Sequence, residues 1–206
     1  MSASDKRIYL ASRSPRRREL LKQIGVSFEV VLLRGNPGRA PDVDEAPLPS
    51  EAPDAYALRI ARSKAMVAVQ QIAKRALPAH PVLAADTTVA RDGEIIGKPV
   101  DADDAGHILR RLAGREHRVV TAVAVAQHDR VETRISDSTV EFRVLSTDEI
   151  RRYVATGEPL DKAGAYAVQG RAAAFVTRIS GSYSGIMGLP LAEAAQLLQR
   201  FGIELL

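Results

Sequence analysis

The stretch Ile8-Tyr9-Leu10-Ala11-Ser12-Arg13-Ser14-Pro15-Arg16-Arg17-Arg18-Glu19-Leu20-Leu21 decides the fold, because it runs from an apolar strand through a serine-rich turn into a helix. Ser14 is placed to cap that helix, and Pro15 takes its first position, where a missing N–H costs nothing. Three arginines then follow in the first turn. Cations there oppose the helix dipole by a few tenths of a kcal/mol, so the placement asks for an anion. Free backbone N–H groups, the hydroxyls of Ser12 and Ser14 and the guanidinium groups together make a phosphate site. A solvated basic helix start is the other reading of the same residues.

Working outward, Gly25 stops the helix and residues 26–32 read as a second strand. Residues 33–53 hold two glycines, five prolines and several acids, the composition of a surface loop. Residues 54–75 repeat apolar side chains at helical spacing through Leu58, Ala61, Ala65, Val69 and Ile72, leaving Arg59, Arg62 and Lys64 off the stripe. Residues 82–85 form a wholly apolar strand of the kind buried inside a sheet. That strand is expected to end at Asp86-Thr87-Thr88, where an unpaired Asp is costly unless it serves a cap, a cation or a reaction.

Arg91-Asp92-Gly93 marks a hairpin turn. Gly97-Lys98-Pro99 leads to Asp101, the expected cap of a helix that runs to Leu112 and ends at Gly114. Residues 119–126 and 132–144 read as two long antiparallel strands, and Ser146-Thr147-Asp148-Glu149 is a capping box before a short helix. Residues 158–170 have no period and read as a functional loop, 174–179 as a strand, 180–190 as a loop and 191–200 as a closing helix. Alternating helices and strands with one antiparallel pair make an α/β fold, a mixed, partly antiparallel twisted sheet flanked by helices. All 206 residues are expected to form one domain, with a disorder-prone start at 1–6.

Composition narrows the function. The chain has no cysteine, which excludes disulfides, thiol nucleophiles and thiolate metal sites. No apolar run approaches the roughly 20 residues of a membrane span, and nothing resembles a signal peptide, so a cytoplasmic protein is expected. The net charge of +4 comes from cations scattered among acids, with no basic tail, which favours a phosphate-bearing small molecule over nucleic acid. There is no Walker phosphate loop and no Gly-x-Gly-x-x-Gly. Gly181-Ser182-Tyr183-Ser184-Gly185 carries Tyr where a nucleophile elbow needs its serine. His80, His107, His117 and His128 lack ligand spacing and are expected on the surface.

Ser12-Arg13-Ser14-Pro15-Arg16-Arg17 resembles the opening motif of the Maf family of nucleoside triphosphate pyrophosphatases. The likeness continues in order through Ala85-Asp86-Thr87, Gly97-Lys98-Pro99, Asp161-Lys162-Ala163-Gly164-Ala165-Tyr166, Gln169-Gly170 and Gly188-Leu189-Pro190-Leu191, covering residues 8 to about 201. The resemblance implies a Maf/ITPase-like fold with an active-site cleft between two lobes, a divalent cation (Mg²⁺ or Mn²⁺) and a homodimer. It implies Asp86 as proton acceptor, Ser12 and Arg17 in the phosphate pocket, Lys64 and Lys98 facing the triphosphate, and Asp161 and Lys162 in the pocket wall. Val43-Asp44-Glu45 is similar to an acidic element of the family, which makes Glu45 and Asp86 the candidate metal ligands. Here an extra stretch, residues 33–41, precedes it.

Cleavage at the α-phosphorus needs cationic clamps on a polyanionic chain, a metal held by carboxylates and a base for water, and Arg16, Arg17, Lys64 and Lys98 with Glu45 and Asp86 can supply them. The branch this chain resembles acts on thymidine and uridine triphosphates. Three positions carry that distinction: Arg16, Thr87 and Gln169. The branch acting on 7-methylguanosine triphosphate has Trp, Gln and Glu there, an indole to stack on a methylated purine and a carboxylate to complement its charge. A nucleotide-binding inhibitor of septum formation with little turnover is a further reading that the resemblance leaves open.

Overall fold

The computed structural model describes residues 7–33 and 42–205. The start at 1–6 and residues 34–41 of the extra stretch lie outside the described residues. In chain order the elements are β1 (Arg7–Leu10), α1 (Pro15–Gln23), β2 (Ser27–Val30), α2 (Pro53–Lys74), β3 (Val82–Arg91), β4 (Glu94–Ile96), α3 (Ala102–Leu112), β5 (Glu116–Gln127), β6 (Arg130–Phe142), α4 (Thr147–Val154), β7 (Val176–Ser180), α5 (Tyr183–Met187) and α6 (Leu191–Arg200), with two short 3-10 turns at Ala163–Ala165 and Arg171–Phe175.

One mixed sheet orders its strands β2-β1-β3-β5-β6-β7. β1 runs parallel to β2 and β3, while β3, β5, β6 and β7 pair antiparallel. β3 is the axis of the molecule. One of its edges is bonded to β5 from Val82 to Ala90. The other edge takes β1 at Val82 and Leu83 and β4 from Val89 to Arg91. Between those two partners the edge of β3 is open, and Asp86, Thr87 and Thr88 sit in the gap.

The local signals formed as their chemistry requires. Ser14 Oγ accepts from the Arg17 N–H, Asp101 caps α3, and Ser146 with Glu149 makes both bonds of a capping box. Asp92 and Gly93, both at positive φ, close the β3–β4 hairpin as a two-residue turn.

Four expectations are corrected. β3 does not end at Asp86 but continues to Arg91, because the backbone of Asp86 stays paired with Ala122 while its side chain finds a cation on α2. The buried stripe of α2 is Ala57, Ile60, Ala61, Ala65, Ala68 and Ile72, with Leu58 and Val69 only partly buried on its flanks. Those alanines pack on Ala84, Ala122, Ala124 and Ala126 of the sheet, and small residues on both sides bring the helix close. His117 is not at the surface. It is 3% exposed, set edge-on to Phe142 and Tyr166, and its Nε2 lies 2.9 Å from the Tyr166 hydroxyl. Finally, residues 180–190 contain α5, a helix too short for periodicity to show.

Side chains alternate along β3, so Val82 and Ala84 pack under α2 while Leu83 and Ala85 pack under α1 and α6. Beyond the gap, Val89 joins a further cluster with α3, α4 and the loop after it. Two groups of helices thus flank the two ends of β3. The open interval lies between them.

Candidate active site

A cavity of about 840 Å³ occupies that interval. Its wall includes every site residue singled out from the sequence: Ser12, Arg16, Arg17, Glu45, Lys64, Asp86, Thr87, Lys98, Asp161, Lys162 and Gln169. The alternation of β3 divides them. Asp86 points to the α2 side and Thr87 to the α1 side, so one strand presents a carboxylate and a hydroxyl to opposite walls.

On the α2 side, Lys64 Nζ lies 2.7 Å from Asp86 Oδ1 and 2.9 Å from Glu45 Oε1. Asp86 is 7% exposed, and this pair explains how a carboxylate is tolerated in mid-strand. Burial opposes the charge of Glu45, but Lys64, by attraction and by its hydrogen bond, then Lys98 and Arg17, hold its carboxyl below the ordinary value. Tyr56, one helical face away, donates its hydroxyl to the Glu45 carbonyl at 2.9 Å. Burial first, then Asp86 and Glu45, push the Tyr56 phenol up to about 12, so it stays neutral. The loop bearing Glu45 is tied down by Arg59, whose Nε and Nη2 each reach Glu51 at 2.6 Å. The extra stretch therefore does not carry Glu45 away from Asp86.

On the α1 side, Arg17 is fixed by three acceptors. Nε donates to the Gly188 carbonyl at 2.7 Å, Nη2 to Thr87 Oγ1 at 3.2 Å and Nη1 to Ser12 Oγ at 3.4 Å. Burial disfavours the guanidinium charge and the Asp86 carboxylate offsets part of that cost. Ser12 Oγ also accepts from the Ser14 N–H at 3.1 Å. Its own proton is thus left to face the cavity. Arg16 and Lys98 make no side-chain hydrogen bond or ion pair among the described residues, so two cations are uncommitted at the rim.

The far wall is the loop after α4. The Gly164 N–H donates to the Gly97 carbonyl at 3.0 Å, which joins the Lys98 turn to the segment of Asp161 and Lys162. Gly164 sits at φ +71, and a Cβ there would lie 2.8 Å from Val89 Cγ2, so this contact requires glycine. Lys162 pairs with Asp161 and donates to the Glu158 carbonyl at 2.8 Å. Glu158 in turn accepts from the Arg171 N–H, and a Cβ on Gly170 would lie 2.3 Å from its Oε1. Gln169, next to Gly170, stands at the edge of the cavity.

Against known sequences, the model of the Maf-like protein family matches residues 7–201. The chain belongs to the Maf family. It is 60% identical over 97% of its length to a dTTP/UTP pyrophosphatase of Aromatoleum aromaticum, of which it covers 97%, and 50% identical to one of Chromobacterium violaceum, each chain covered in full. Among solved structures, the Staphylococcus aureus Ham1 protein aligns over 95% of this chain and 97% of its own at a TM-score of 0.44 and 16% identity.

Within this Maf chain, several cavity groups carried no sequence signal. Tyr56 lies in the first turn of α2 with nothing in its spacing to mark it. The Gly188 carbonyl reaches Arg17 across 171 positions of chain, a contact that only the packing of α5 against α1 creates. No group of three or more His, Cys, Asp or Glu able to hold a metal occurs among the described residues, and no helix there is long and apolar enough to cross a membrane.

Proposed function

We propose that this chain hydrolyses dTTP and UTP to the nucleoside monophosphate and pyrophosphate. The observation that carries the reading is the division of one cavity by β3: Asp86 with Lys64 and Glu45 on one wall, and Arg17 with Ser12 on the other. Relatives that are 50% and 60% identical over nearly the whole chain and are named dTTP/UTP pyrophosphatase support the substrate. A cavity of about 840 Å³ suits a nucleotide, since small-molecule sites span roughly 300–1,000 Å³.

In this reading Arg17, held rigid by its three acceptors, grips the phosphate chain together with the N-terminus of α1, and Arg16, Lys64 and Lys98 meet its remaining oxygens. Ser12 donates its free hydroxyl proton to a phosphate oxygen. Water attacks the α-phosphorus, the bond to the bridging oxygen breaks, and pyrophosphate leaves with that oxygen. Asp86 takes the proton from the attacking water. Gln169 offers both a donor and an acceptor to the alternating N–H and C=O edge of a pyrimidine.

The donor chemistry fits a hard divalent cation. Glu45 and Asp86 supply two carboxylates, the number that Mg²⁺ typically takes from a protein when substrate phosphates and water complete its shell. Bound there, the ion would neutralise charge developing on the phosphates. A cytoplasmic homodimer completes the reading.

The test is pyrophosphate release across a panel of triphosphates, with size-exclusion chromatography for the dimer. Release from dTTP and UTP upholds it. Tight binding of the same nucleotides without release would make the protein a nucleotide binder.

A further inference from the structure

Thr121 stands on β5 directly opposite Thr87 of β3, is wholly buried, and does not line the cavity. Its Oγ1 lies 3.0 Å from Thr87 Oγ1 and 2.8 Å from the Gly185 carbonyl oxygen. A carbonyl only accepts, so the single Thr121 proton goes to Gly185, and the proton shared between the two hydroxyls is that of Thr87. Thr87 also accepts from Arg17 Nη2. The result is a one-way chain of donors from Arg17 to Thr87, to Thr121, to the Gly185 carbonyl.

The other end of this chain returns to Arg17. Gly185 lies in α5, which stops at Gly188 in the left-handed conformation, and the Gly188 carbonyl accepts from Arg17 Nε. There is little slack in how α5 lies on the sheet. A Cβ at Gly185 would come within 2.9 Å of Ser136 Oγ and 3.1 Å of Ser182 Cβ. Two of the three groups that hold the guanidinium, Thr87 directly and Gly188 through α5, are thus linked to one hydroxyl. Packing alone does not call for that hydroxyl, since a valine would fill the same volume on the face of β5 that Thr121 shares with Val119 and Val123.

We propose that Thr121 is a positioning residue for Arg17: through Thr87 and through α5 it sets the orientation in which the guanidinium meets a phosphate. The inference rests on the reading of Arg17 as a phosphate clamp. It goes beyond it in assigning the orientation to a residue that touches neither substrate nor cavity.

Thr121→Val and Thr121→Ser separate the hydroxyl from the shape, each made in the wild type and in Arg17→Ala. Two quantities are measured: kcat/KM for pyrophosphate release from dTTP, and the affinity for inorganic tripolyphosphate by calorimetry, which needs no turnover. Misplacing a clamp is costly, so Thr121→Val should lower both about tenfold, while Thr121→Ser stays within about twofold of wild type. With Arg17 already removed, Thr121→Val should change either quantity by less than about twofold, because effects of residues acting as a unit do not add. An equal loss with and without Arg17, no loss at all, or a wild type that does not bind tripolyphosphate would overturn the proposal. Should Thr121→Val melt far below the wild type, Thr121→Ala against Thr121→Ser in the same two backgrounds decides on the same criteria. A wild type that binds tripolyphosphate but releases no pyrophosphate would refute the hydrolase reading alone, and the binding arm would still decide on Thr121.

Discussion

Lys64 Nζ lies 2.7 Å from Asp86 Oδ1, joining the middle of α2 to the middle of β3 with both side chains almost out of water. Breaking such a pair by deleting one partner leaves a buried charge, which is why each member is better tested by a substitution that keeps its shape. Because Lys64 also meets Glu45, the loss of one carboxylate leaves the ammonium partnered. Charge at Asp86 can therefore be removed without removing the fold.

Asp86→Asn is accordingly expected to lower turnover on the order of 10²–10⁴, the usual contribution of a general base. Its melting temperature should stay near that of the wild type, since the amide still accepts from Lys64. Steady-state kinetics with dTTP beside a thermal melt checks both. Near-normal turnover would make Asp86 a structural partner of Lys64 and nothing more.

Two carboxylates facing a triphosphate repel it unless a cation intervenes, so excess chelator should abolish pyrophosphate release and Mg²⁺ or Mn²⁺ should restore it. Glu45→Ala should raise the metal concentration needed for half-activation while leaving the melt unchanged, because the Glu45 side chain is half-exposed on a loop and Lys64 keeps Asp86 as its partner. Titration of activity against metal measures this. Full activity in chelator would sink the two-carboxylate reading of the α2 wall.

How much of this was legible in the sequence depends on the range of the interaction. Ser14, Asp101 and Ser146 were readable as caps because a cap closes over three residues, and Asp92-Gly93 because a tight hairpin demands positive φ. From sequence β3 reads as ending at Asp86, because the partner that makes a buried carboxylate tolerable lies 22 positions earlier, on another element. The stripe of α2 differs from its sequence pattern for a related reason. Periodicity weights Leu58 and Val69 by size, whereas close packing against Ala84, Ala122 and Ala124 selects alanine. In the site, the motifs named the residues, but that Arg17 and Asp86 stand on opposite faces of one strand follows only from the pairing of β3.

His117 gives a stability that depends on pH. Burial, opposed by the Arg115 backbone, pulls its imidazole down to about 4 from a usual 6.5. Between those values the unfolded chain binds a proton that the folded chain does not. Stability is therefore intact above about pH 6.5 and falls as the pH drops toward 4, by at most about 3 kcal/mol at 1.36 kcal/mol per unit. Denaturant unfolding at pH 7, 6 and 5 should show this fall, and His117→Gln, whose amide can still reach Tyr166, should show a shallower one. Identical slopes for the two proteins would mean that other groups carry the acid response.

The base preference turns on Gln169, which lines the cavity two residues before Arg171, whose N–H donates to Glu158. Its amide both donates and accepts, whereas a carboxylate only accepts and would face the C=O groups of a pyrimidine with no proton to offer. A site that leaves polar groups unpaired loses about 1–3 kcal/mol for each one. Thymidine and uridine triphosphates should therefore be hydrolysed at least tenfold better than the 7-methylguanosine compound, a difference of about 1.4 kcal/mol. Gln169→Glu should narrow that gap by lowering kcat/KM for the pyrimidines, with the melt and the Asp86-dependent step unaffected. Side-by-side kcat/KM values on the three nucleotides decide it. A wild type that prefers the methylated purine would overturn the base assignment and leave the phosphate chemistry of Arg17 and Asp86 standing.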